Sequence, residues 1–302
     1  MKLGIFGGAV NDGTLDDVVA QAAAAERDGF AAYWTPHIFG HDALTALAVV
    51  ATKVPRIELG TSVVPTFPRH PHAIAQQAHT VAAASGNRFT LGIGLSHKVV
   101  IENMFGLSYD KPVRHLREYL NVLMPLSRNE PANFDGAMYK VHAGISAKGS
   151  AGFGVVVAAL GDQMLRVTAA LADGTLTWCT GPATLAGHTI PTITRAAEEF
   201  GRPAPRIIAA LPVCVTDDAT AAAARAAETF AGYGALPSYR AMLDREGVAG
   251  PADIAIIGTA AQVQDRIEAL AGIGVTDFAA VEFGATPDEV TNTRETLRAL
   301  LK

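Results

Sequence analysis

The sequence has little cysteine, few aromatic residues and no block of like charge. Two cysteines, Cys179 and Cys214, occur in 302 residues, and both lie inside apolar runs. That excludes a disulfide framework and points to a reducing, cytoplasmic setting. Lysine and arginine together number 24 against 29 acids, a net charge of -5, and the basic residues are scattered singly. Nothing is gathered to neutralise a phosphate backbone, so no nucleic-acid partner is expected. Charge, proline or glycine interrupts every apolar run, so no membrane span is expected either. The opening MKLGIFGG breaks at Gly7 and Gly8 and lacks the long apolar stretch of a secretory signal.

What is present is a large apolar fraction, 49% of residues, laid out as short β-type runs alternating with alanine-rich amphipathic helices. The expected strands are Lys2–Phe6, Ala31–Trp34, Arg56–Val64, Arg88–Ile93, Gly154–Leu160, Thr175–Cys179, Arg206–Val215 and Asp277–Phe283. A helical stretch follows each of them. The first illustrates the signals: Thr14 caps it, Asp16 and Asp17 suit its positive end, and Gly29 stops it. Parallel strands need a helical crossover, and every gap holds one. Eight such units predict an α/β fold, a closed (β/α)8 TIM barrel forming one domain over residues 1–302. Two segments break the rhythm and are expected to be insertions. One, after strand 4, is a hairpin near 133–150, a candidate lid; the other, after strand 7, lies near 232–251. Asp253–Gly258 is expected to be a linker.

A barrel of this kind binds its ligands at the C-terminal strand ends. Those positions here are rich in glycine, small residues and aromatics, and poor in acids. Glu282 and Asp162 are the acids so placed, without the facing partner a two-carboxylate hydrolase needs. Glu282 reads equally well as an anchor for a hydroxyl and as a cap for the last helix. His70 and His72 flank Pro71 at a helix start, a poor metal site, and no metal is expected. The run Gly92-Ile-Gly94-Leu-Ser-His97 lacks the third glycine of a dinucleotide fingerprint. What remains suits a flat, largely uncharged ring with a phosphate tail. Gly161 and Gly181, each following a strand, offer backbone N–H groups for the phosphate. Trp34 and Trp178 are expected to pack the barrel.

At this point the motifs become specific. The segments MKLGIF, IELGTSVVPTFPRHP, NRFTLGIGLSHKVVIENMFGLSYDKP and AALGDQMLRVTAALADGTLTW resemble, in order, those of the luciferase-like monooxygenase superfamily. The likeness is to its branch of oxidoreductases that use the deazaflavin coenzyme F420, and it spans nearly the whole chain. The resemblance implies a barrel with insertions, a homodimer, and hydride transfer between F420 and a small organic substrate. It implies a non-proline cis peptide at Ser62–Val63 against the cofactor ring, which Phe6 and Gly94 also approach. Leu95, Ser96 and His97 would line the ring and its side arm. Leu160, Gly161, Thr180 and Gly181 would hold the phosphate. His37 matches a substrate-facing histidine and is the first candidate catalytic residue. His97, the second, stands where a related sugar-phosphate dehydrogenase has an acidic proton donor. The basic residues that bind the sugar phosphate there have no match. A two-component monooxygenase using FMN, or a barrel that binds a cofactor without turnover, would share these features.

Overall fold

A computed structural model describes residues 1–301. Lys302, the last residue of the expected barrel domain, lies outside the described residues. Eight parallel strands form the barrel: β1 (Lys2–Phe6), β2 (Ala32–Thr35), β3 (Glu58–Thr61), β4 (Phe89–Gly94), β5 (Gly154–Val157), β6 (Gly174–Trp178), β7 (Arg206–Val215) and β8 (Asp277–Glu282). Each pairs with the next, and β8 pairs with β1, which closes the cylinder. Helices cover the outside, so both faces of every strand are buried. That is why runs such as Val155–Val157 and Ile207–Leu211 are continuously apolar rather than alternating.

The inside of the barrel is packed by Ala32, Trp34, Val156, Leu176, Ile208, Ala210 and Ala279. Trp34 is the largest of these, and glycine makes its room. A Cβ on Gly60 would overlap the Trp34 ring, and one on Gly4 would lie 3.3 Å from its Nε1. Beneath it, at the N-terminal end, Arg206 stacks its guanidinium over Trp34 at 5.4 Å. Arg206 also donates to Glu58 Oε1 and Asp277 Oδ1, each at 2.6 Å, and to Thr90 Oγ1 at 3.3 Å. Four strands are thus tied together at the floor of the cylinder.

The helix signals operate as read. Thr14 and Asp17 form a reciprocal capping box, and Gly29 ends the helix Leu15–Asp28 at φ 91°. Thr259 with Gln262 and Thr286 with Glu289 repeat the device on the last two helices.

Three segments differ from expectation. β3 is interrupted: it stops at Thr61 and resumes at Val64–Pro65, which pairs with β4, whereas the Ser62–Val63 peptide between is cis, as the resemblance implied. Asp253–Gly258 is not a linker. Pro251–Ile254 is a 3₁₀ turn, and Ile256–Gly258 is a short strand pairing with Val213–Val215. β7 is ten residues long and outruns its neighbours, so its end offers free backbone that three residues suffice to cover. The segment near 133–150 does contain a hairpin, Ala132–Asp135 against Lys140–Ala143. Its turn is fastened to helix Pro112–Ser127, because Glu118 accepts the amides of Ala137, Met138 and Tyr139 at 3.2, 2.7 and 3.2 Å. A carboxylate so engaged keeps its proton off, and its pKa is lowered. The hairpin is therefore a brace on that helix rather than a free lid.

Candidate active site

The C-terminal mouth of the barrel has an apolar floor. Phe6 and Trp178, from β1 and β6, stack at 6.1 Å with 26° between their planes. Val63, on the cis segment, packs against the same interior cluster. The segment Thr61–Val63 leans so far over β4 that only glycine fits beneath it. A Cβ on Gly92 would overlap the Thr61 carbonyl oxygen, and one on Gly94 would lie 2.6 Å from Val63 Cγ2. Thr61 fixes the join, donating from Oγ1 to the Gly92 carbonyl at 2.8 Å and accepting the Gly92 amide at 2.9 Å. Phe6, Val63 and Gly94 thus come together as expected of one surface. Trp178 joins them, although the sequence favoured barrel packing over a stacking role for it. Its Nε1 is buried with no hydrogen-bond partner.

On one side of this floor stand the loops after β2, β3 and β4. His37 is partly buried; its Nδ1 faces the Ala43 amide at 3.2 Å and its Nε2 faces Arg69 Nη1 at 3.2 Å. Arg69 also pairs with Asp42, the cap of helix Ala43–Ala51. Burial first, and the Arg69 charge second, push the His37 pKa below its ordinary value, against the pull of Asp42. Both effects favour the neutral imidazole. A cavity of about 350 Å³ opens here, lined by His37, Ile38, Pro65, Pro68, Arg69 and Phe105. Leu95 is buried, and Ser96 sits at φ 59° with its carbonyl accepting from Tyr109 Oη at 3.3 Å. Burial likewise lowers the pKa of His97. The helical turns Val99–Met104 follow it.

On the other side stands the segment near 232–251, which forms helices Ala231–Gly234 and Pro237–Glu246. It reaches back over the mouth. Tyr233 lies edge-on to Trp178 at 5.5 Å, and Tyr239 lies 5.3 Å from the His97 ring. The two expected phosphate positions differ sharply. After β6, Glu246 accepts the Ala183 amide at 3.0 Å and the Thr184 amide at 2.6 Å. A Cβ on Gly181 would overlap that carboxylate, so an acid of the chain itself occupies the start of this helix. Thr180 turns its hydroxyl onto the Trp178 carbonyl at 3.2 Å. After β5, Gly161 opens helix Asp162–Leu171 with no side-chain cap, and a Cβ there would meet nothing. The Leu160 carbonyl beside it is held by His188 Nε2 at 2.8 Å.

Glu282 is committed elsewhere: its carboxylate pairs with Arg294, which also holds Asp28. The last helix is instead capped by Thr286. His70 caps helix Pro71–Ala84 and takes the His72 amide at 3.3 Å. Arg69, Tyr239 and Glu246 were not expected from the sequence as site residues. Arg69 carried a signal, lying inside the motif TFPRHP, but it falls beyond the strand end where the reading stopped. Tyr239 and Glu246 carried none, because their helix is placed by tertiary packing.

A family model for luciferase-like monooxygenases matches residues 1–277. The chain belongs to this family. A Mycobacterium tuberculosis protein named for coenzyme F420-dependent oxidoreductase activity is 29% identical over 246 residues, 74% of this chain and 69% of its own. The tetrahydromethanopterin reductase of Methanopyrus kandleri, F420-dependent, superposes with a TM-score of 0.82 at 20% identity, covering 100% of this chain and 97% of its own. An F420-dependent secondary alcohol dehydrogenase superposes equally well, TM-score 0.82 at 18% identity, covering 100% and 99%. At these identities the two structures speak for the fold.

Proposed function

We propose that this protein is an F420-dependent oxidoreductase that exchanges hydride between the deazaflavin and a small organic substrate. The observation that carries the reading is the apolar floor made by Phe6, Val63 and Trp178, with Val63 presented by the cis segment over Gly94. The relatives named for F420 support it.

The residues present fit the group. An extended ring lies well on two stacked aromatics and a valine. The buried, unpartnered Trp178 Nε1 is a donor awaiting an acceptor. Leu95 and Ser96 would flank the ring, and His97 its side arm. The uncapped amides after Gly161 would take the phosphate, with His188 holding the loop in shape. The Gly181 end, filled by Glu246, would contribute Thr180 and the shape of the wall. When bound, F420 supplies a carbon that gives or takes a hydride.

The chain's own part is orientation and exclusion of water. Tyr233 and Tyr239 close one side, and Ile38 and Phe105 the other. His37 acts there as a neutral hydrogen-bonding group, because burial and Arg69 oppose its protonation. His97, half-buried beside Tyr239, is a wall of the pocket in this reading. The two buried thiols support a cytoplasmic setting, and the family likeness supports a homodimer, to be weighed by light scattering.

The test is a titration of F420 with protein, read by cofactor fluorescence, beside the same titration of FMN. Quenching of F420 at micromolar protein, with weaker response from FMN, is expected. FMN binding with no F420 response would replace this reading with that of an FMN-dependent monooxygenase. Binding of F420 without turnover of any substrate would leave a cofactor-binding barrel.

A further inference from the structure

We infer that the hairpin 132–143 is a positioning element of the cofactor site, with Tyr139 and His115 as the residues that set the place of Val63 and Ser96. This goes beyond the function proposed above and rests on its reading of the floor as the seat of the cofactor.

The segment that carries Val63 is held at both ends. At its near end, Thr61 bonds the carbonyl and the amide of Gly92 through Oγ1, at 2.8 and 2.9 Å. At its far end stands Thr66. Its amide donates to the Gly94 carbonyl at 2.9 Å, and its Oγ1 lies 2.8 Å from His115 Nε2. Only residues 62–65 span the two anchors, so a shift of Thr66 is a shift of Val63. The near anchor is made within the barrel. The far one is completed from outside it.

His115 comes from helix Pro112–Ser127 and is 2% exposed. Burial pushes its pKa down to about 4, so the ring is neutral at pH 7. A neutral imidazole has one N–H and one acceptor nitrogen. Nδ1 lies 3.3 Å from Tyr139 Oη. In either tautomer the ring donates to one hydroxyl and accepts from the other. Tyr139, His115 and Thr66 therefore form an unbroken chain. An aliphatic side chain would fill the same space with no polar atoms to satisfy. What the imidazole adds is the link from hairpin to floor.

Tyr139 is itself fixed. Its amide is held by Glu118, one turn along the helix from His115, and its ring lies edge-on to Tyr119 at 5.7 Å. One helix thus grips the hairpin turn with Glu118 and bonds its tyrosine with His115. A second route leads to the loop after β4. Phe67 stacks on His115 at 3.8 Å, with 9° between the planes, and lies 5.0 Å from Tyr109. Tyr109 Oη donates to the Ser96 carbonyl at 3.3 Å. Ser96 sits in the left-handed region at φ 59°, which residues other than glycine seldom adopt, and this bond helps to hold it there.

The test compares three variants. Tyr139→Phe removes one hydroxyl and keeps the ring. Thr66→Val removes the other and keeps the amide. Asp135→Asn weakens the hairpin's own pairs with Lys140 and His142, at 2.9 and 3.1 Å, and leaves the chain intact. In the cofactor-free protein, hydrogen exchange of the Thr66 amide is followed by NMR against the amides of β7. Tyr139→Phe should speed it about tenfold, and Asp135→Asn should leave it at the parent's rate. F420 affinity, read by fluorescence, should fall about fivefold in Tyr139→Phe and in Thr66→Val, the worth of one hydrogen bond. The double variant should lose no more than either single one, because both break one chain. A Thr66 amide that exchanges at the parent's rate in Tyr139→Phe overturns the inference, and so do losses that multiply in the double variant. A lower melting temperature with F420 affinity unchanged overturns it too, since the chain is then scaffold alone. If the parent binds no F420, the cofactor reading fails, while faster Thr66 exchange in Tyr139→Phe still upholds the hold of the hairpin on this segment.

Discussion

The two ends of the barrel are built from the same strands and treat polar groups in opposite ways. At the N-terminal end, Arg206 spends its donors on Glu58, Asp277 and Thr90 and covers Trp34 with its plane. Its pKa is pushed up, since the two acids outweigh its burial. At the C-terminal end, Trp178 keeps a buried N–H without a partner, and Arg69 and His37 meet at 3.2 Å beside an apolar cavity. Only the small interior of the barrel separates them. The difference teaches that the two ends divide the labour: polar groups at the floor hold strands together, while the mouth presents an apolar surface with the unpartnered Trp178 Nε1 beside it.

Breaking the closed end should cost stability and little else. Arg206→Ala removes the charged partner of Asp277 and leaves Glu58 with only the exposed Lys2, at 3.9 Å, for its own. A loss of about 3–5 kcal/mol is expected in chemical denaturation, with F420 affinity of the folded fraction unchanged. A loss of less than about 1 kcal/mol, the worth of a surface pair, would erase the contrast between the ends.

Disturbing the open end should do the reverse. Gly94→Ala puts a methyl 2.6 Å from Val63 Cγ2 and displaces the floor. Turnover should fall about a hundredfold, the effect of misplacing a site by about an ångström, while the melting temperature shifts far less than in Arg206→Ala. Equal damage to stability in both variants would show that the floor is only scaffold.

A smaller effect sharpens the comparison from behind the mouth. His115 is buried against Thr66 at 2.8 Å and Tyr139 at 3.3 Å, and it stacks on Phe67 at 3.8 Å. Burial pushes its pKa down to about 4. The unfolded chain binds the proton more readily than the folded one. The contribution of the neutral ring is therefore complete above about pH 6.5 and is lost as pH falls toward 4, at up to about 1.4 kcal/mol per pH unit. Denaturation midpoints between pH 7 and 4 should show this slope, and His115→Gln should flatten it. An unchanged slope would place the acid sensitivity in another group.

Much of this was legible in the sequence, for reasons that can be named. Strand and helix runs here are long and clean, so the eight units and their capping residues read directly. The site was legible where glycine or a strand end marked it: Phe6, Val63, Gly94 and Gly161 occupy the mouth. It was not legible where a side chain arrives from a distant element. Glu246 reaches the helix after β6 from 62 residues away in sequence, and no local pattern announces it. Glu282 sits at a strand end, as a site acid would, but Arg294 claims it. Ile256–Gly258 is too short for a period to show, and only the overhang of β7 gives it a partner.

The chain has two tryptophans, one at each level of the barrel, and they provide the most direct measurement. The indole N–H signals of Trp34 and Trp178 are to be followed by NMR as F420 is added, with Trp34→Phe and Trp178→Phe assigning them. The Trp178 signal should move on binding while that of Trp34, packed below among the alanines and glycines, should stay nearly still. A still Trp178 signal at saturating F420, or a shift confined to Trp34, would contradict a cofactor floor at the open end.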